Sequence, residues 1–170
     1  MIFYHYGSIN ELIVAAVGEL SAQRMERHRA VLEQAETLTD FIAIARELHK
    51  ADTEDGSMTI FVQAFAGASG DPEMGPKLFE SAQPWSQLIS ESVERVVGEK
   101  VADQLGDAAP FAQIGSAIGS LFIGIELLDN LDPSRGSADE LFDMLTPLAE
   151  LLDKLLASPL GEHLGTLLPS

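Results

Sequence analysis

The sequence predicts an all-α domain of six or seven helices. Apolar residues recur at i, i+3, i+4 and i+7 along most of the chain, no stretch sustains strand-like alternation, and helix start and stop signals punctuate it throughout. The 170 residues fit one domain, and a hydrophobic content of 46% is enough for a substantial core. Aromatic residues make up only 6%, so Leu, Ile, Val and Ala must fill most of that core.

The elements follow in order. Ser8 is placed to cap a helix, with Glu11 three residues on as its capping-box partner. Leu12, Ile13, Ala16, Val17 and Leu20 share one face of that helix, which is expected to reach about Glu36. Thr39 is expected to cap a second helix with Phe41, Ile44, Ala45 and Leu48 inward. Gly56-Ser57 starts a third, carrying Met58, Phe61, Val62 and Phe65, and Gly67 and Gly70 end it. Asp71-Pro72-Glu73 combines a capping side chain, a first-turn proline and a carboxylate at the positive end of the helix dipole. Pro76 still fits that first turn. Pro84 is expected to kink or break the helix, which otherwise continues through Trp85, Leu88, Ile89, Val93 and Val96 to Gly98.

Gly106 to Pro110 reads as a loop. A very apolar helix then spans about Phe111 to Leu131 and stops at Asp132-Pro133. Ser137 is expected to cap the last helix, which reaches about Ala157 with a bend at Pro147. The tail, 158–170, is expected to be loosely ordered.

Composition removes several functions. Without cysteine there are no disulfides, thiolate metal sites or cysteine nucleophiles, which favours a reducing, cytoplasmic setting. A net charge of -17 repels nucleic acid and anionic lipid unless positive charge is concentrated. The only basic cluster, Arg24, Arg27, His28 and Arg29, reads as a solvated helix face with pairs such as Arg29–Glu33. The N-terminal residues lack the basic region and apolar run of a secretory signal. Ile114 to Leu128 is the most membrane-like stretch, but it falls short of the roughly 20 residues a span needs and carries Glu126. No membrane anchor is expected.

Enzymatic chemistry also lacks a signature. Histidines 5, 28, 49 and 163 fit no HExxH-like or Ser-His spacing, there is no glycine-rich phosphate loop, and no cofactor is implied. Binding of a small apolar ligand suits the middle of the chain better, because pockets between helices are mostly apolar with a few polar groups. The candidates are Met58, Phe61, Phe65, Phe79, Trp85 and Phe122, with His49, Gln63, Gln83 and Gln87 for polarity. The plainer reading of the same aromatic stripe is core. Trp85 beside Pro84 is the strongest candidate, since a kink leaves space next to a large ring.

The opening Phe3-Tyr4-His5-Tyr6-Gly7-Ser8, followed by Leu12, resembles the end of the DNA-binding domain in TetR-type transcriptional regulators. There an aromatic-Tyr-His-aromatic run joins the recognition helix to the ligand-binding and dimerisation domain. Asp71-Pro72-Glu73-Met74-Gly75 and Leu121-Phe122-Ile123-Gly124-Ile125-Glu126-Leu127-Leu128 resemble stretches of actinobacterial members. The resemblance implies a TetR-regulator C-terminal-domain-like bundle over 9–157, with 1–8 as the remnant of the helix-turn-helix. It implies a ligand-responsive regulator, typically a repressor.

It also implies a homodimer through the last two long helices, about Phe111–Leu131 and Ala138–Ala157. Gly115, Gly119, Ile123, Leu127, Leu141, Leu145, Leu148 and Leu152 are the expected contacts; close packing within one subunit is the alternative use of the glycines. Tyr4 and His5 would lie near phosphates in an intact family member. The family's first two helices would precede Met1, and Ile9 stands where a phosphate-contacting lysine is common. These 170 residues alone are therefore not expected to recognise operator DNA. A stand-alone helical ligand-binding or heterodimerising protein is the alternative.

Overall fold

A computed structural model describes residues 7–98, 111–132 and 134–158 of the protein. Over these residues the chain is all-helical: α1 (Ile9–Leu32), α2 (Leu38–Glu54), α3 (Ser57–Ala68), α4 (Met74–Val97), α5 (Phe111–Leu131) and α6 (Ser137–Leu156). Tyr4, His5, the expected loop at 106–110 and the tail beyond 158 lie outside the described residues.

Local chemistry sets each boundary. The Ser8 hydroxyl accepts from the Glu11 amide and starts α1, which ends at Leu32 rather than near Glu36. Arg95 of α4 donates to the Leu32 and Ala35 carbonyls there, so a cation from another helix satisfies the end of α1. Helix α2 is capped by Thr37, not Thr39, through a full capping box with Asp40. Thr39 instead meets Asp153 of α6, whose carboxylate accepts from the Leu38 and Thr39 amides and the Thr39 hydroxyl.

The Asp71 carboxylate accepts from the Glu73 and Met74 amides and opens α4. Pro84 does not end α4, which continues to Val97. The proline lies on the exposed face, where water can take the carbonyl that loses its donor. Pro147 likewise sits within a continuous α6. Gly136, in a left-handed conformation at φ 60°, precedes α6 in place of a Ser137 cap. Asp129, at the end of α5, accepts from the Ser137 and Ala138 amides.

Helix α4 packs along both α1 and α5, and α6 packs along α2. The apolar core is in two parts. One gathers Leu32, Ala35, Phe41, Leu88, Val93 and Phe111; the other gathers Val17, Phe61, Ala68, Met74 and Leu78. Helices α1 and α4 contribute to both. Between Val17 and Leu32 the buried stripe of α1 is polar: Ser21, Arg24 and His28. The two apolar clusters therefore flank a polar layer.

Candidate functional site

A cavity of about 340 Å³ lies between the helices, beside that polar layer. Its volume is at the lower end of the roughly 300–1,000 Å³ usual for small-molecule pockets. Helices α2 and α3 supply Phe41, Leu48, Met58, Phe61 and Phe65. Helix α4 supplies Ala82, Trp85 and Ile89, and α5 and α6 supply Phe122, Ile123, Leu141 and Phe142. Phe61 and Phe65 stack at 4.7 Å, and Phe122 tilts against Phe142 at 5.5 Å. Rings thus form much of a wall that offers dispersion and few hydrogen bonds.

Of the residues expected from the sequence, His49, Met58, Phe61, Phe65, Trp85 and Phe122 line this cavity, as do Phe79 and Gln83. Gln87 does not. It is exposed and donates to Glu91, because the inward stripe of α4 runs Ala82, Trp85, Ile89 and position 87 faces away from it. Gln63 is likewise exposed. The Trp85 indole N–H donates to the Ser21 hydroxyl at 2.9 Å, and Ser21 donates in turn to the Ser81 carbonyl. This fixes the ring without a break at Pro84.

The polar end of the cavity includes Arg24 and His28, which the sequence places on a solvated face, and Asp52, which it does not single out. Asp52, 2% exposed, accepts from Arg24 through both Nε and Nη2, and His28 Nε2 lies 3.0 Å away. Burial alone would raise the Asp52 pKa, but the hydrogen bonds from His28 and Arg24 outweigh it and hold the group below the usual range. The Arg24 guanidinium stands over Trp85 at 5.2 Å and Phe61 at 5.9 Å and contacts Met58 Sδ. Arg24 and His28 are therefore interior groups, and Arg29 pairs with Glu91 rather than Glu33. The spacing Val17, Ser21, Arg24, His28, Leu32 is the signal that could have found them, since it continues one helical stripe inward.

A second pair, a half-buried His49 with a buried Glu126, lies one turn away on α2. His49 Nδ1 is 3.0 Å from Glu126 Oε1 of α5, with Phe122 and Phe142 beside the imidazole at 6.0 and 5.8 Å. Burial depresses the His49 pKa against the pull of Asp139, Asp52 and Asp129. Burial, with Asp129 nearby, pushes the Glu126 carboxyl up to about 7.

The residues expected at a dimer seam divide. Gly115 is buried in the subunit, where a Cβ would overlap the Ser86 carbonyl and Ser90 hydroxyl of α4. Gly119, Ile123, Leu141 and Leu145 line the cavity. Leu127, Leu148 and Leu152 are exposed, together with Leu121, Leu128 and Leu131 on α5 and Met144 and Leu151 on α6. Both helices thus expose apolar side chains beyond the expected contacts. Helix α5, at 21 residues, is longer than the stretch that argued against a membrane span, and by length and composition alone it could cross one. Its buried Glu126 and its tight contact with α4 tie it into this domain.

Compared with known protein families, with curated proteins and with solved structures, the chain matches none.

Proposed function

We propose that these residues form the ligand-binding and dimerisation domain of a TetR-type transcriptional regulator, responsive to a small, largely apolar molecule. The observation that carries this reading is an aromatic-walled cavity lined in part by α5 and α6, the two helices that also expose many apolar side chains. The N-terminal aromatic-Tyr-His-aromatic pattern supplies the family. In this reading the exposed leucines of α5 and α6 meet those of a second copy in a four-helix seam. Ligand would shift the arrangement of the pair and so bias operator affinity, a coupling between two sites. Operator contact would require a helix-turn-helix head joined to this domain.

A thermal-shift screen against apolar metabolites tests the pocket, because a ligand that binds the folded state raises apparent stability by mass action. Compounds that shift the transition should also change Trp85 fluorescence; a panel with no effect on either counts against the reading. Sedimentation at micromolar concentration should give a dimer, and fluorescence anisotropy at low salt should give no sequence-specific DNA binding. A monomer that still binds ligand would favour the stand-alone or heterodimerising alternative.

A further inference from the structure

The buried groups at the polar end carry unequal charge. Among the described residues they include one permanent cation, Arg24, against two carboxylates, Asp52 and Glu126. Arg24 is committed: Nε and Nη2 go to Asp52, Nη2 also meets Met58, and its faces meet Phe61 and Trp85. Arg46, on the outer side of Phe142, is paired with Asp143 and Asp139. Glu126, 4% exposed, has only the His49 imidazole as an ion-pair partner among the described residues, and burial disfavours that ring's charged form. Asp52, Asp129 and Asp139 add negative potential around the pair, and Arg24 opposes them, with His28 alongside on α1.

A buried carboxylate without a full counter-charge is costly to keep ionised. His49 lines the cavity with its Nδ1 side turned to Glu126, and Nε2 has no partner among the described residues. A ligand reaching this end meets an imidazole acceptor with a carboxylate behind it.

We propose that the cavity takes an amphipathic organic amine, its hydrocarbon or aryl body among Phe61, Phe65, Trp85 and Phe122 and its ammonium group donating to His49 Nε2 with Glu126 behind the ring. This rests on the ligand-binding reading above and names its ligand class. An alcohol makes the same hydrogen bond but leaves the carboxylate uncompensated. A carboxylate head would add a third anion where the one guanidinium is already taken. Phe122 and Phe142 stand tilted beside the His49 ring and keep the surroundings of the pair apolar. Because the ammonium group needs the His49–Glu126 pair without its extra proton, binding expels that proton below about pH 7. Affinity then rises about tenfold per pH unit on the acid side and levels above it.

The test titrates the full chain with decylamine, 1-decanol and decanoate, each below its micellar concentration, at pH 6, 7 and 8. Trp85, the single tryptophan and a wall residue, is the fluorescent reporter. The expected order is decylamine, decanol, decanoate, with at least about tenfold between the first two, the effect of one discriminating charge contact. Decylamine should bind about fivefold tighter at pH 7 than at pH 6, and about tenfold tighter at pH 8 than at pH 6. Glu126→Gln should bring decylamine to the affinity of decanol, leave decanol unchanged and flatten the pH profile. Equal affinities, or decanoate as the tightest, would overturn the amine class and leave the pocket standing. No binding by any of the three would overturn the ligand-binding reading itself. The pH profile of the unmodified chain decides the matter even should the variant fail to fold.

Discussion

Replacing Gly115 by alanine should destabilise the domain, although alanine is the better helix former. In an exposed helix interior the exchange would gain about 1 kcal/mol. At Gly115 the added Cβ falls on the Ser86 carbonyl oxygen and the Ser90 hydroxyl of α4, with the Ser90 amide 3.1 Å away. Two of those three atoms are backbone, so relief requires α4 and α5 to separate. Overpacking of this kind costs about 1–3 kcal/mol, and rigid backbone neighbours place it at the upper end. The net loss is then about 2 kcal/mol, or roughly 4–8 °C in Tm for a chain of this size.

Gly119 is the internal control. One turn along α5, its Cβ would come no nearer than 3.4 Å to the Ser86 hydroxyl, an ordinary contact, so Gly119→Ala should be neutral or stabilising by up to about 1 kcal/mol. Paired urea melts of the two variants separate packing from propensity, and Ser90→Ala added to Gly115→Ala should restore only part of the loss. If Gly115→Ala matched Gly119→Ala in midpoint and slope, the close approach of α4 and α5 would be refuted.

Asp52→Ala leaves a buried guanidinium uncompensated and should cost about 3–5 kcal/mol in chemical denaturation. Since the folded Asp52 pKa lies below its unfolded value, its contribution is present above the ordinary aspartate range and is lost as pH falls through the folded value. The variant should therefore show a shallower acid slope than the native chain. Glu126 has the opposite sign. Its folded pKa of about 7 exceeds the unfolded value, so native stability should fall from about pH 4.5 up to 7 and then level. Glu126→Gln should remove that decline and melt higher than the native chain at pH 8, by an amount of a few kcal/mol at most. Leu127→Glu combined with Leu148→Glu places charge on the exposed face and should turn a sedimenting dimer into a folded monomer; an unchanged dimer would move the seam elsewhere.

The helix order was legible because punctuation was local: Ser8 with Glu11, Gly56 before Ser57, Asp71 before Met74. Most of the aromatic wall was legible for the same reason, since Met58, Phe61 and Phe65 follow one helical stripe. The polar end was not. Arg24, His28, Asp52 and Glu126 resemble solvent residues in a chain with 27 acidic side chains, and each finds its partner only when separate helices meet. Gly115 was hidden differently. A small residue predicts that something comes close, but only packing says whether that is α4 of the same subunit or another copy. The Thr39 cap failed because Thr37 offered a full box two residues earlier, which left Thr39 free to bond Asp153.

His49 and Asp52 belong to the same helix, three residues apart, and reach different neighbours: one α5, the other α1. Helix α2 is thereby indexed like a key with two teeth. Turning or sliding it to improve one contact withdraws the other into apolar surroundings. One residue inserted between these positions would rotate the teeth by about 100° relative to each other. The same residue added in the turn before Leu38 would leave them aligned. Insertional scanning should find α2 intolerant between positions 49 and 52, a rule set by angular phase rather than by conservation of any single side chain.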